Sequence, residues 1–124
     1  MHMRMVSTAN NDRVDVMFRA FSDRTRLRLL HLLRTGETCV CDLTEVLGVP
    51  QPKVSRHLAY LRRAGLVRAR RDGLWMHYSL APATNEFHQS LLNCLACCFT
   101  SVPALAKDAD KLGRAKACST GGCC

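Results

Sequence analysis

The sequence predicts a mainly α-helical domain with a small β-hairpin, and three observations carry that reading. Apolar residues recur at helical spacing through the first half of the chain. Two of the helices so defined are joined by a three-residue turn, Gly48-Val49-Pro50, and the pattern then switches to alternation on either side of Asp72-Gly73. Two helices joined by a short Gly-containing turn make a helix-turn-helix, and a hairpin appended to it is a wing. A winged helix-turn-helix is therefore expected.

Each element follows from its own residues. Val14, Met17, Phe18 and Phe21 fall at i, i+3, i+4 and i+7, which is one apolar face of a first helix. Ser22 or Asp23 can cap a second helix, whose Leu27, Leu29, Leu30, Leu32 and Leu33 form a wide apolar stripe before Gly36 stops it. Asp42 to Leu47 reads as a short third helix with Leu43, Val46 and Leu47 inward. Pro52 suits the first turn of a fourth helix, in which Val54, Leu58 and Leu61 face inward and Gly65 marks the end. Leu66 to Arg71 and Leu74 to Leu80 then alternate as strands, and Asp72-Gly73 is a dipeptide of type I′ turns, where both central residues need φ > 0. After Pro82, the spacing of Phe87, Leu91, Leu95 and Cys98 predicts a fifth helix over Thr84 to Phe99. Residues 1–100 thus read as one winged helix-turn-helix domain. Residues 101–124 read as a cysteine-containing tail, partly disordered, with one weak helical stretch over Ala104 to Leu112.

At 124 residues the chain has room for one domain, which excludes a large multi-domain enzyme. No Gly-rich phosphate loop, paired carboxylates or nucleophile–base arrangement points to an enzyme of any size. No apolar run reaches the roughly 18 residues of a membrane span, and the N-terminal MHMRMVSTANNDR lacks the apolar core of a secretory signal. A cytoplasmic protein with no membrane partner is expected, and its eight cysteines are then read as thiols suited to soft ions or redox sensing rather than to disulfide scaffolding.

Eighteen Lys and Arg against ten Asp and Glu give a net charge of +8, a field that calls for a polyanionic partner. Most of it lies in one place: residues 51–77 hold seven basic side chains and one acidic one. On the fourth helix, Gln51, Lys53, Ser55 and Arg56 occupy the first turns, where a recognition helix meets base edges, and Gln and Arg can contact adenine and guanine bidentately. Arg63 lies on the same outward side as Lys53 and Arg56. His57 sits at the boundary of the apolar stripe, placed to bond a phosphate or the backbone. Arg68, Arg70 and Arg71 on the hairpin would grip phosphates or the minor groove alongside. A nucleic-acid structural protein would share the basic field but has no use for paired cysteines.

The segment ETCVCDLTEVLGVPQPKVSRHLAYLRRAGLVRARRDGLWMHYSL resembles the winged-helix core of the arsenic-responsive repressor family, ArsR/SmtB. The strings CVCDL and QPKVSRHLAYLRRAGL are most similar to the arsenical-resistance repressors, and the likeness extends over roughly Val14 to Phe99. It implies a homodimer that sits on palindromic operator DNA and leaves it when a metal or metalloid binds. Pairing also has a physical reason, because one small reader contacts too few base pairs to find a single genomic site. The apolar faces of the first and fifth helices are the expected pairing surface.

The inducer is expected at Cys39 and Cys41, with trivalent arsenic or antimony as the ion, since both are thiophilic and suit pyramidal thiolate ligation. Two residues apart, these side chains share a face in extended backbone but not in a helix, so joint ligation is expected to bend the start of the third helix and tilt the recognition helix. Arsenical repressors with this motif carry a further Cys three positions after the second; here that position is Thr44, and a tail cysteine (Cys118, Cys123 or Cys124) is one substitute. Cys94, Cys97 and Cys98, at i, i+3 and i+4, form a second candidate cluster and can equally be small apolar interface residues. Glu86 and His88 echo half of the family's zinc site, but Phe99 and Val102 stand where its other half belongs, which disfavours zinc. The alternative function is a repressor that senses thiol oxidation or another soft metal.

Overall fold

The computed structural model describes residues 8–97 and 102–118. Its first helix, α1 (Thr8–Phe21), splits its apolar residues between two directions. Met17 and Ala20 are buried in the core, whereas Val14 and Phe18 are exposed, Phe18 by 55%. In α2 (Arg24–Leu33) Asp23 takes the cap, its carboxylate accepting the Arg26 backbone N–H at 3.0 Å. Leu29, Leu30, Leu32 and Leu33 are all buried. They meet Leu43, Val46 and Leu47 of α3 (Val40–Leu47) and Val54, Leu58 and Leu61 of α4 (Gln51–Arg63) in one core. Gly48, at φ 66°, ends α3 in the left-handed conformation that glycine adopts without strain, and the chain turns there into α4. The helix-turn-helix is thus built as its sequence pattern predicts.

The sheet has three strands rather than two. Strand β1 (Thr38–Cys39) pairs antiparallel with β3 (Trp75–Leu80), which pairs on its other edge with β2 (Val67–Asp72). A two-residue strand is too short to show alternation, so nothing in the local pattern marks it. The turn type also differs from expectation. Asp72 pairs with Trp75, which leaves Gly73 and Leu74 as the central residues; Gly73 has φ 63° and, among the described residues, no non-glycine has positive φ. Only the first central residue is left-handed, the φ pattern of a type II′ turn rather than type I′.

In α5 (Glu86–Cys97) the Asn85 Oδ1 accepts the His88 backbone N–H at 2.8 Å, and His88 Nδ1 accepts the Thr84 N–H at 3.3 Å. The fully buried His88 is therefore spent on closing the start of the helix. The weak helical signal beyond residue 101 becomes a long helix, α6 (Pro103–Cys118), which packs against α2 and α3. Leu105, Asp108, Leu112 and Ala115 are its buried face. An acid in the middle of that face hides it from a hydrophobicity reading. Asp108 is tolerated there because Arg28 of α2 donates to both its oxygens, at 2.7 and 2.9 Å, the forked geometry that best compensates a desolvated carboxylate. The rest of the expected tail, 119–124, lies outside the described residues.

Two predictions follow from this packing. Asp108→Ala strands the Arg28 guanidinium and should cost about 3 kcal/mol in denaturant unfolding; a loss under about 0.5 kcal/mol would mean that the pair does not hold α6. His31 is buried with no partner on Nδ1, and burial followed by the Arg34 charge lowers its pKa, against a smaller opposing pull from Asp108. A histidine kept neutral by the fold makes stability fall as pH drops below its unfolded value of about 6.5. His31→Leu should flatten the decline measured from about pH 7 to about pH 5, and an unchanged slope would refute the assignment.

Candidate functional site

Helix α4 presents Gln51, Lys53, Arg56 and Arg63 to solvent, with Ser55 half-buried on the flank. Its opposite face, Val54, Leu58 and Leu61, is completely buried, so the helix is fixed in rotation by the core while its basic side stays open. Arg26, at the start of α2, makes that fixation directional. Its guanidinium donates to the carbonyls of Ala20 and Arg19 at 3.1 and 2.9 Å, stacks 4.1 Å above the Tyr60 ring and lies 3.4 Å from His57 Nδ1. One cation thus joins the end of α1, the start of α2 and the outer flank of α4. Sequence reading missed Arg26, since nothing local distinguishes it from the neighbouring Arg24 and Arg28.

His57 sits at the boundary expected of it, half-buried beside Asp23, whose Oδ2 is 3.8 Å from Nδ1. Burial lowers the His57 pKa, the Arg26, Lys53 and Arg56 charges add to that, and Asp23 opposes them. Neutral imidazole is the favoured form, consistent with Nδ1 facing the Arg26 guanidinium. Asp23 itself is pulled upward by burial, but the Arg26 backbone N–H and the positive charges around it leave its pKa lowered.

The wing divides its arginines. Arg68 and Arg71 are exposed along β2, near the exposed Leu74 and Trp75 at the tip. Arg70 is engaged instead with Glu37, donating to its two carboxylate oxygens at 2.9 and 2.7 Å, and this fork holds the Glu37 carboxyl below the usual carboxylate range. Glu37 is the second residue that sequence reading missed. Its partner is 33 positions away and becomes a neighbour only through the order β1-β3-β2.

That order also governs the cysteines. Cys39 is both the last residue of β1 and the N-cap of α3, with extended backbone (φ −69°, ψ 143°), while Cys41 lies in the first turn of the helix. Their sulfurs are 3.0 Å apart. The expected separation of the two thiols is therefore corrected: one residue lies outside the helix, its extended backbone swings Cys39 toward Cys41, and no bending is required to bring them together. Cys39 is buried and reduced, and Cys41 is half-buried and disulfide-bonded. At position 44 the threonine hydroxyl donates to the Val40 carbonyl at 2.9 Å. On α5, Cys94 is half-buried and Cys97 exposed, both reduced; Cys98 lies outside the described residues. Among the described residues no three His, Cys, Asp or Glu side chains gather as a metal site, and no helix is long and apolar enough to cross a membrane.

Comparison with known proteins gives this geometry a lineage. Residues 23–69 match the family described as bacterial regulatory protein, arsR family. The arsenic resistance transcriptional regulator ArsR1 of Pseudomonas putida is 42% identical over 92 residues, spanning 73% of this chain and 68% of that protein. Among solved structures, the antimony-specific transcriptional repressor AntR superposes with a TM-score of 0.61 at 31% identity, over 79% of this chain and 86% of that one. The homodimeric winged helix-turn-helix DNA-binding domain Mb0332 of Mycobacterium bovis gives a TM-score of 0.62 at 28% identity, with the same coverages of 79% and 86%. A helix-turn-helix with an open basic face, a wing joined to a cysteine-bearing strand, and this degree of identity lead to one conclusion: the chain belongs to the arsR family of bacterial regulatory proteins.

Proposed function

We propose that the protein is a dimeric transcriptional repressor of an arsenic-resistance operon, which holds operator DNA when empty and leaves it when trivalent arsenic or antimony binds Cys39 and Cys41. The observation that carries this reading is the place of the two sulfurs, 3.0 Å apart at the joint between β1 and α3. The identity to an arsenic regulator and the likeness to an antimony repressor agree with it.

The joint touches both DNA-contacting elements. Through α3 and the Gly48 turn it leads to α4, where Gln51, Lys53, Ser55 and Arg56 enter the major groove and His57 and Arg63 flank the phosphates. Through β1 it leads to the wing, since Cys39 pairs with His77, and His77 pairs with Arg70 on β2. The Glu37–Arg70 fork ties the same three strands together, leaving Arg68 and Arg71 as the wing's open cations. An ion bound by both thiolates replaces their 3.0 Å contact with two bonds to itself, and the adjustment this imposes on the joint shifts α4 and the wing together. A usual coupling of about 1–3 kcal/mol weakens DNA binding about 5–150-fold.

Dimerisation uses the outward half of α1. Phe18 is exposed and meets Phe87 of α5 edge-on at 5.3 Å, so the two helices present one continuous apolar face. Two-fold pairing there sets the recognition helices for half-sites about 34–36 Å apart. Cys94 and Cys97 of α5 are read as interface residues with a secondary capacity for soft ions.

A repressor that responds to thiol oxidation is the second reading, favoured by the disulfide at Cys41. Operator binding measured with reduced protein separates the two. Cys39→Ser and Cys41→Ser should each keep operator affinity and lose release by arsenite; normal arsenite release from both variants would move the site elsewhere, and release by peroxide alone would favour oxidation sensing. Arg56→Ala should lose about 1–3 kcal/mol of operator affinity with the fold intact. Undiminished specific binding in a titration would remove Arg56 from the reader.

A further inference from the structure

We infer that the wing tip, Leu74 with Trp75 beside it, is an apolar wedge that enters the minor groove of operator DNA and opens a base step there. The inference deepens the proposed function, since it rests on operator binding, but it does not depend on the cysteines.

Sheet geometry sets the tip apart. Residues directly opposite in an antiparallel pair share a face, and successive residues alternate between faces. Val67, Met76, Tyr78 and Leu80 share the face that joins or packs against the core. Trp75, opposite Asp72, lies on the other face and is 45% exposed. Leu74 stands in the turn beyond the last strand pair and is 93% exposed. The large apolar side chains exposed among the described residues are these two with Val14 and Phe18. Val14 and Phe18 belong to the α1 face that dimerisation covers. Leu74 and Trp75 are adjacent at the far end of the wing and call for a different occupant.

The charges beside the tip identify that occupant as duplex DNA. Arg68 and Arg71 are both exposed on β2, and the register puts them on opposite faces of the ribbon, Arg68 across from Ser79 and Arg71 across from Met76. An apolar point with a cation on each side fits a minor groove, where base edges lie between two phosphate walls. The acid at the tip, Asp72, shares a face with Arg70, whose pKa is raised by Glu37 first and more weakly by Asp72. Helix α4 leads through Gly65, at φ 80°, into β2 and packs against it, so the tip continues the surface that carries Lys53, Arg56 and Arg63. A leucine wedge partly unstacks one base step and kinks the duplex toward the major groove. Pyrimidine–purine steps open most easily, so the wing selects sequence by deformability, without a hydrogen bond to any base.

The test uses duplexes that reduced wild-type protein selects from a random-sequence pool. They should carry a pyrimidine–purine step at a fixed distance from the bases read by α4. The chain has one tryptophan, Trp75, and its emission should shift when the selected duplex is added. Energy transfer between dyes on the duplex ends should report a bend that Leu74→Ser removes, with its circular dichroism unchanged. Leu74→Ser should weaken binding of the selected duplex about tenfold and leave the salt dependence as it was. Arg71→Ala should instead lower the salt slope by about 1. Unaltered Trp75 emission at saturation, or an unchanged bend and affinity in Leu74→Ser, would overturn the inference while leaving operator binding in place. Loss of a higher oligomer in Leu74→Ser, with DNA binding intact, would also overturn it and assign the tip to a second copy of the chain. Failure of wild type to enrich any duplex would overturn the operator-binding reading itself.

Discussion

The short pairing of Cys39 with His77 is the contact on which the functional architecture depends. It makes one residue belong to two elements, since Cys39 closes a strand of the wing sheet and opens the first helix of the helix-turn-helix. Without that pairing the chain between α2 and α3 would be an ordinary loop. With it, the hydrogen bonds of the sheet and the start of α3 meet at one residue.

A second constraint fixes the orientation of α4. The buried stripe of Val54, Leu58 and Leu61 sets the rotation of α4, and Arg26 braces its outer flank through Tyr60 and the carbonyls that end α1. The charge of Arg26 is therefore engaged in holding the fold, and that of Arg70 in holding Glu37. Lys53, Arg56, Arg62, Arg63, Arg68 and Arg71 remain exposed cations of α4 and the wing.

Helix α6 extends the same logic to the far side of the core. A carboxylate that would be costly to bury alone is made tolerable by a forked guanidinium, and the pair sets where α6 lies on α2. From there the helix passes along α3, where Glu45 and Val46 share a cavity with Lys111, Arg114 and Ala115.

The sequence by itself determined the helices whose apolar residues are strongly periodic. The stripes of α2, α3 and α4 and the glycine after α3 are local signals, because a residue's neighbours at i+3 and i+4 decide which face is buried. The basic outer face of α4 was legible for the same reason. Tertiary structure alone decided what depends on partners distant in the chain. Strand β1 exists because β3 lies beside it, and the Glu37–Arg70 and Arg28–Asp108 forks join residues 33 and 80 positions apart. The closeness of the two sulfurs was settled by backbone rather than by spacing. Two residues apart within one helix they would diverge, but the pairing of Cys39 holds it extended at the helix start and brings them together.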